Sequence, residues 1–295
     1  MFNKIKLLLW LLVFLFPSLA QAKTINLIAT GDVIPARSVN STMVRKNDFT
    51  YPFLKTASLL KKADVVLINM EAPLVENCPV TDEGMVFCGD QKFIKGLKYG
   101  NVSVVNLANN HSGNYGNEGL DSTVKLLKQN GFKISGLGKP AFLKKNSIKL
   151  AFLGFNDIEK NPELKIALAE PKTISKQIKQ AKKQADFVIV SFHWGDEYTA
   201  QPNKRQQFLA HLAIDSGADL IIGNHPHWVQ TKEKYKGKLI NYALGNFIFD
   251  QMWSDETRKG TLGWYVINKN KGLVKTKSYP VLIENYSQPR FLISF

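Results

Sequence analysis

Four of the five histidines in this chain fall in short segments that also hold carboxylates or carboxamides. Asp32 follows the apolar run INLIAT, Asn69 and Glu71 follow VVLI, and Asn109, Asn110 and His111 follow VVNLA. His193, Trp194, Asp196 and Glu197 come after FVIVSF, and Asn224, His225 and His227 after LIIG. Gathered at one place, these side chains would hold metal: mixed carboxylate, imidazole and carboxamide donors suit Mn, Fe or Zn, whereas Ca and Mg favour oxygen-only shells. The expected ligands are Asp32, Glu71, Asn110, His193, His225 and His227. Two such ions about 3.5 to 4 Å apart can hold a phosphate and generate a hydroxide nucleophile near neutral pH. His111, beside Asn110, is the candidate to protonate a leaving group. Arg37, five residues after Asp32, could pair bidentately with a phosphate or carboxylate of a substrate. Each residue also has a purely local role open to it. Asp32 could cap a helix, Glu71 could serve the turn at Ala72-Pro73, Asn109 and Asn110 could support turns, and WGDEY could be a surface loop.

Pro226 fixes its own φ and pushes His225 out of the α region, so His225 is expected to be extended or in a turn, not on a helix. In an extended segment residues i and i+2 point to one side, so the imidazoles of His225 and His227 are expected to converge. His211 sits inside an expected helix and reads as structural.

The elements that must position these residues alternate. TINLIAT is expected as a strand, PFLKTASLLKKA as a helix and DVVLINM as a strand. Then come NVSVVNLA as a strand, NEGLDSTVKLLKQNG as a helix, FKISGLG and SIKLAFLGF as strands, and TISKQIKQAKKQA as a helix. DFVIVSFH, the helix NKRQQFLAHLAIDSG and the strand ADLIIGNH complete the alternating part, and the tail from KLINYALGNFIFD onward has strands and turns only. Alternation predicts an α/β fold with a largely parallel sheet, and the tail predicts added antiparallel strands. Ligands of open α/β sheets bind outside the carboxyl ends of the strands, where all five polar segments fall. No linker or repeat divides the chain, so one domain is expected over residues 23–295.

The first 22 residues have basic Lys4 and Lys6, an apolar run from Leu7 to Phe16, and Ala20 and Ala22 flanking Gln21. This is the three-part pattern of a secretory signal peptide, with cleavage expected after Ala22. The run is short for an uncleaved membrane anchor, and no cysteine follows it to carry a lipid. A periplasmic or secreted protein is expected, with no transmembrane segment after cleavage. Cys78 and Cys88, in the turn-rich segment ENCPVTDEGMVFCGD, are then better read as a disulfide than as two metal-binding thiols. The net charge is +15. Without Lys4 and Lys6 there remain 37 basic and 24 acidic residues, a net +13. The lysines are scattered and not interleaved with aromatics, which argues against nucleic acid. They are either a solvated face or an attraction toward an anionic polymer or membrane surface.

The motifs TGDVIPAR, INMEAPL, VVNLANNHSGNYGNEGL, SFHWGDEY, GNHPHWVQ and NYALGNFIFDQ, in this order from about Thr24 to Gln251, resemble the capsule biosynthesis CapA family, also called poly-γ-glutamate synthesis proteins. That family is similar to the metallo-dependent, calcineurin-like phosphatases. The resemblance implies a four-layer α/β/β/α sandwich with one or two divalent ions at its strand ends. By matched position, it implies Asp32 as the first metal-binding aspartate, Glu71 in place of the bridging aspartate, and Asn110 with His111 as the asparagine ligand and catalytic histidine. It further implies His193 as the lone histidine ligand and His225 with His227 as the paired ones. Asn69, Asn109, Glu197, Tyr242 and Asn246 match the motifs as substrate-binding or supporting residues. Two positions depart from the phosphatase pattern: Ile34 stands where a histidine usually follows the first aspartate, and Glu71 replaces an aspartate. The implied partners are an anionic polymer such as poly-γ-glutamate or membrane-bound capsule synthesis proteins. The implied role is capsule biosynthesis; hydrolysis of phosphoester or amide bonds in envelope material, or polymer binding without catalysis, are the alternatives.

Overall fold

The computed structural model describes residues 23–158 and 161–292; the expected signal segment lies outside them. Buried, β-branched-rich runs form the strands, and these gather into two sheets. In the first, the strands Gln288–Phe291, Gly272–Glu284, Lys259–Asn268, Thr24–Val33, Val65–Met70, Val104–Asn106 and Lys133–Ser135 lie in that order. The short strand Asn246–Ile248 pairs in parallel with the end of Thr24–Val33. In the second sheet the order is Lys232–Tyr235, Lys238–Asn241, Leu220–Asn224, Phe187–His193, Ile148–Asn156 and Ala141–Lys145. The middle strands are parallel in both, and the tail adds the expected antiparallel strands to the first.

Strand alternation sorts the apolar side chains into separate cores. Ile25, Leu27, Ala29, Val65 and Leu67 of the first sheet meet Leu150, Phe152, Ile189, Leu220 and Ile222 of the second. On the outer face of the first sheet, Ile28, Val66, Ile68 and Val105 pack against Val39 and Met43 of the helix Ser38–Lys46, Leu97 of Ile94–Tyr99, and Leu120 and Leu127 of Gly116–Gln129. On the outer face of the second, Ala151, Val188, Val190 and Ile221 pack against Ile174 and Ile178 of Pro171–Lys182 and Leu209 and Ala213 of Lys204–Asp215. Helix, sheet, sheet, helix is the four-layer sandwich that the motifs implied.

Local structure departs from the sequence reading in several places, among them the tail, expected as strands and turns only, which carries the short helix Asp255–Arg258. The helix expected over 52–63 is a 3-10 turn, Tyr51–Phe53, followed by the single turn Ala57–Leu60, with i to i−3 bonds such as Thr56 N–H to Phe53 O. The helices Ser38–Lys46 and Ile94–Tyr99 were not anticipated. The first has only three apolar residues, and it stops where Asn47 turns left-handed and returns its N–H to Met43 and Val44.

Candidate metal centre

Pairing register brings the polar strand ends into rows. Asn246, Asp32, Asn69 and Asn106 stand side by side across four neighbouring strands of the first sheet. Asn156, His193 and Asn224 stand side by side in the second. The rows belong to facing sheets, so the crevice is built by strand register before any loop contributes.

Two groups of donors result, each with its ligand atoms within 4.8 Å of one another: Glu71 with His193 and His225, and Asp32 with Glu71 and His227. Glu71 belongs to both. Neither of its carboxylate oxygens has a hydrogen-bond partner, and Nδ1 of His225 has none either, although all three atoms are buried. Unpartnered buried acceptors are costly. A cluster of them facing one another is relieved by a cation, so the donor set fits divalent metal. Asn110 joins the first group, its Oδ1 2.8 Å from Nε2 of His193. Ile34 is fully buried among Ala36, Ala72, Phe87 and Phe249 and supplies no donor.

The carboxamides that surround the donors hold them. Asn69 Nδ2 donates to Asp32 Oδ1 at 2.8 Å, and Asn69 Oδ1 accepts from Asn106 and Asn109. Asn109 also accepts from the backbone of His111 and Ser112, fixing the turn that carries Asn110 and His111. His227 Nδ1 lies 2.9 Å from Asn246 Oδ1. An amide oxygen can only accept, so Nδ1 bears the proton and Nε2 keeps the lone pair, the usual arrangement of a metal-binding histidine and its supporting group.

His225 and His227 converge, their ring centroids 6.0 Å apart, but not through an extended segment. Their φ values are 98° and 57°, so both occupy left-handed turn conformations. Such conformations cost on the order of 1–3 kcal/mol each in non-glycine residues and collect at functional sites.

Burial would raise the Asp32 carboxyl, yet hydrogen bonding to His227, the charges of His227 and His193, and Asn69 hold it below the usual carboxylate range. Burial would lower His227, but the hydrogen bond to Asp32 and the charges of Glu71, Asp32 and Glu197 lift it to about 9. His225 is driven well below its ordinary value by burial first and then by His193, His227 and His111. The neutral imidazole is the form that binds metal, so His225 stands ready as a ligand whereas His227 would release a proton on binding.

His111 is half-buried at the crevice with Nδ1 2.9 Å from Asn114 Oδ1, which leaves Nε2 without that tie. The same Asn114 oxygen accepts the backbone N–H of Phe87 at 2.7 Å, and the Phe87 ring stacks on His111 at 4.1 Å. Phe87 adjoins Cys88, which is bonded to Cys78 as expected. Arg37 stands 5.0 Å from the ring centroids of both Phe87 and Phe249 and is paired with Asp250. Its Nη2 is thus taken by Asp250, while its buried Nε has no hydrogen-bond partner among the described residues. Glu197 is exposed at the rim beside Tyr198, whose hydroxyl is pushed up to about 12 by partial burial and by Glu197.

Tyr242 does not reach the crevice. It is buried in the second sheet's outer core, its carbonyl accepts from Trp194 Nε1 at 2.8 Å, and its hydroxyl donates to Glu233 at 2.5 Å. A β-carbon on Gly223 would run into that carbonyl, which is why glycine precedes the Asn224-His225 turn. His211 is structural, stacked on Tyr235 and bonded to Glu233. Asn114, Phe87 and Asp250 escaped the sequence reading. Asn114 lay three residues past His111, at a spacing that signals a turn contact.

Comparison with known proteins gives the family and the fold. The family model PGA_cap, bacterial capsule synthesis protein, matches residues 26–251. The PGA biosynthesis protein CapA of Bacillus subtilis (strain 168) is 35% identical over 257 residues, 81% of this chain and 67% of that protein. The capsule biosynthesis protein CapA of Bacillus anthracis is 32% identical over 271 residues, 85% of this chain and 66% of that protein. The chain spans about two thirds of the length of these relatives. The crystal structure of a 5'-nucleotidase precursor from Thermus thermophilus superposes with a TM-score of 0.54 at 15% identity, covering 90% of this chain and 56% of that one. That likeness is one of fold: the sandwich is of the metallophosphatase type.

Proposed function

The chain belongs to the bacterial capsule synthesis protein family, and from this premise we propose that it acts outside the cytoplasm on an anionic capsule polymer of the poly-γ-glutamate kind, with divalent metal that Glu71 would help to hold. The observation that carries the reading is the membership of Glu71 in both donor groups with neither oxygen otherwise partnered. Glu71, His193, His225 and Asn110 would hold one ion, and Asp32, Glu71 and His227 the other. Mn, Fe or Zn bound there would supply Lewis acidity toward a phosphoryl or amide carbonyl oxygen.

The residues of the chain do the rest. Asn246 and Asn69 keep His227 and Asp32 oriented. Asn114 holds the Nδ1 proton of His111, so Nε2 is the atom that, once the ring has taken a second proton, passes it to the leaving group of a γ-glutamyl amide or phosphoester cleaved by water. The Arg37–Asp250 pair, enclosed by Phe87 and Phe249, fixes the wall beside His111. A second reading, polymer binding without cleavage, draws support from Ile34, which leaves the Asp32 group one histidine short.

The test is elemental analysis of residues 23–295 purified without chelator, beside a His225→Ala/His227→Ala variant, followed by chain-length assays on poly-γ-glutamate and turnover of phosphoester probes. Stoichiometric transition metal lost in the folded variant, together with metal-dependent cleavage, is the expected result. Metal without cleavage of either substrate class would favour the binding reading. No metal after reconstitution with Mn, Fe or Zn would overturn the metal centre.

A further inference from the structure

At one edge of the sandwich the seam between the two sheets opens into a cleft of about 230 Å³. Lys234 and Lys238, on the Lys232–Tyr235 and Lys238–Asn241 strands, line it from the second sheet; Lys271 and Lys275, at the start of the Gly272–Glu284 strand, line it from the first. Asp219 is the single carboxylate lining this cleft, and it is doubly neutralised, by Lys182 at 2.5 Å and by Lys238 at 2.7 Å. Lys234, Lys271 and Lys275 have no carboxylate at ion-pair distance among the described residues. Strand alternation explains part of this. Glu233 points to the opposite side of its strand, where Tyr242 and His211 occupy it. Three unpaired lysines, beside the Lys238–Asp219 pair, thus line a cleft whose one carboxylate among the described residues is already spent.

The kind of anion follows from what the walls lack. Among the described residues no arginine lines the cleft, so it offers point charges and not the planar fork suited to bidentate phosphate recognition. No aromatic ring of the described residues lines it either, so these offer nothing for nucleobases to stack on. Between the lysines lie the apolar side chains of Leu239, Leu273 and Val274. Cations on both walls around an apolar floor suit a flexible chain that alternates carboxylates with methylene groups. We propose that this cleft is a binding site for a linear polycarboxylate, distinct from the metal crevice. The γ-linked glutamyl chain, with two methylenes and one pendant carboxylate per unit, has that chemistry; this identification of the polymer rests on the function proposed above.

The experiment measures binding of fluorescently labelled poly-γ-glutamate to residues 23–295 by anisotropy, at low and at physiological ionic strength. A Lys234→Gln/Lys271→Gln/Lys275→Gln variant is compared with a control of equal charge loss, Lys95→Gln/Lys125→Gln/Lys176→Gln, taken from exposed helix faces. The cleft variant should bind at least about tenfold more weakly at low salt, with a shallower salt dependence, while the control changes by less than about threefold. Equal weakening in both variants would reduce the effect to net charge and overturn the site, as would undiminished binding in the cleft variant or no binding by the unmodified protein. The His225→Ala/His227→Ala variant separates this proposal from the previous one. Binding retained there without metal leaves the cleft standing if catalysis fails. Cleavage by a cleft variant of unchanged affinity leaves catalysis standing and removes the cleft.

Discussion

Glu71 Oε1 lies 3.4 Å from His193 Nε2 with both side chains fully buried, a contact that lacks the geometry of a hydrogen bond. A carboxylate enclosed in this way, its second oxygen equally unpartnered, is the costliest group in the crevice unless a cation accompanies it. Glu71→Gln keeps the size and removes the charge. Because Glu71 serves both donor groups, this variant should lose most of its metal, more than is lost by changing Asn110, which touches only one. Bound metal at about 100-fold over its dissociation constant stabilises by about 2.7 kcal/mol, about 5 to 10 °C in a chain of this size. Chelation should therefore lower the Tm of the unmodified protein by that amount and leave Glu71→Gln nearly unmoved. Equal shifts in both would remove Glu71 from the ligand set.

Asn114 makes a separate prediction, because it touches His111 and Phe87 but belongs to neither donor group. Asn114→Ala should leave metal content unchanged and lower kcat on a cleaved polymer by about 10- to 100-fold, part of the 10²–10⁴ that general acid catalysis itself contributes. Asn114→Asp, which still accepts from Nδ1, should recover much of the rate and shift the pH profile. A change confined to KM would instead place His111 in binding.

The alternating strands and helices and most of the donor set were legible because both follow from strand pattern, whereas the four-layer sandwich was implied by the motif resemblance. Buried apolar runs give the strands, and a carboxylate, asparagine or histidine directly after a run must stand at its carboxyl end. Asp32, Glu71, Asn110, His193, His225 and His227 come together on that logic alone. What the pattern could not give was contact between loops. Nothing local to Arg37 foretells Asp250, 213 residues away, and nothing near Phe87 foretells its stacking on His111. Between the extended and turn conformations open to His225 the sequence could not choose, because proline excludes the α region for its predecessor without forbidding positive φ. Tyr242 followed the motifs yet belongs to the core, since a motif records every constraint on a segment, packing included.

The disulfide is the next test, because it closes the segment that ends at Phe87. Replacing both cysteines, Cys78→Ser/Cys88→Ser, should cost about 2–3 kcal/mol by the chain-entropy model for a loop of this size, read as a lower urea midpoint. It should also free Phe87 from its place against His111, so that kcat falls while metal content holds. Phe87→Leu in the intact disulfide background should reproduce the loss of rate without most of the loss of stability. If the double serine variant loses stability alone, the loop braces the fold and not the site.

Tyr242 and Glu233 supply the pH prediction, well away from the crevice. Burial would raise the Glu233 carboxyl, but hydrogen bonds from Tyr242 and His211 hold it below its usual range. A carboxyl whose pKa is depressed on folding contributes stability that is present above its unfolded value, about 4.3, and is lost as pH falls through the lower folded value. Glu233→Gln should therefore lower Tm at pH 7 and flatten its decline below about pH 4.5 relative to the unmodified protein. Tyr242→Phe removes one of the two donors and should give the same change in smaller measure. Metal content and metal-dependent stabilisation should be unchanged in both variants, since Tyr242 reaches Glu233 and Trp194 but no donor of the centre. Loss of metal from Tyr242→Phe would mean that the core beneath the second sheet sets the position of His225 and His227, and Tyr242 would then rank with Asn246 and Asn69 among the residues that hold the site.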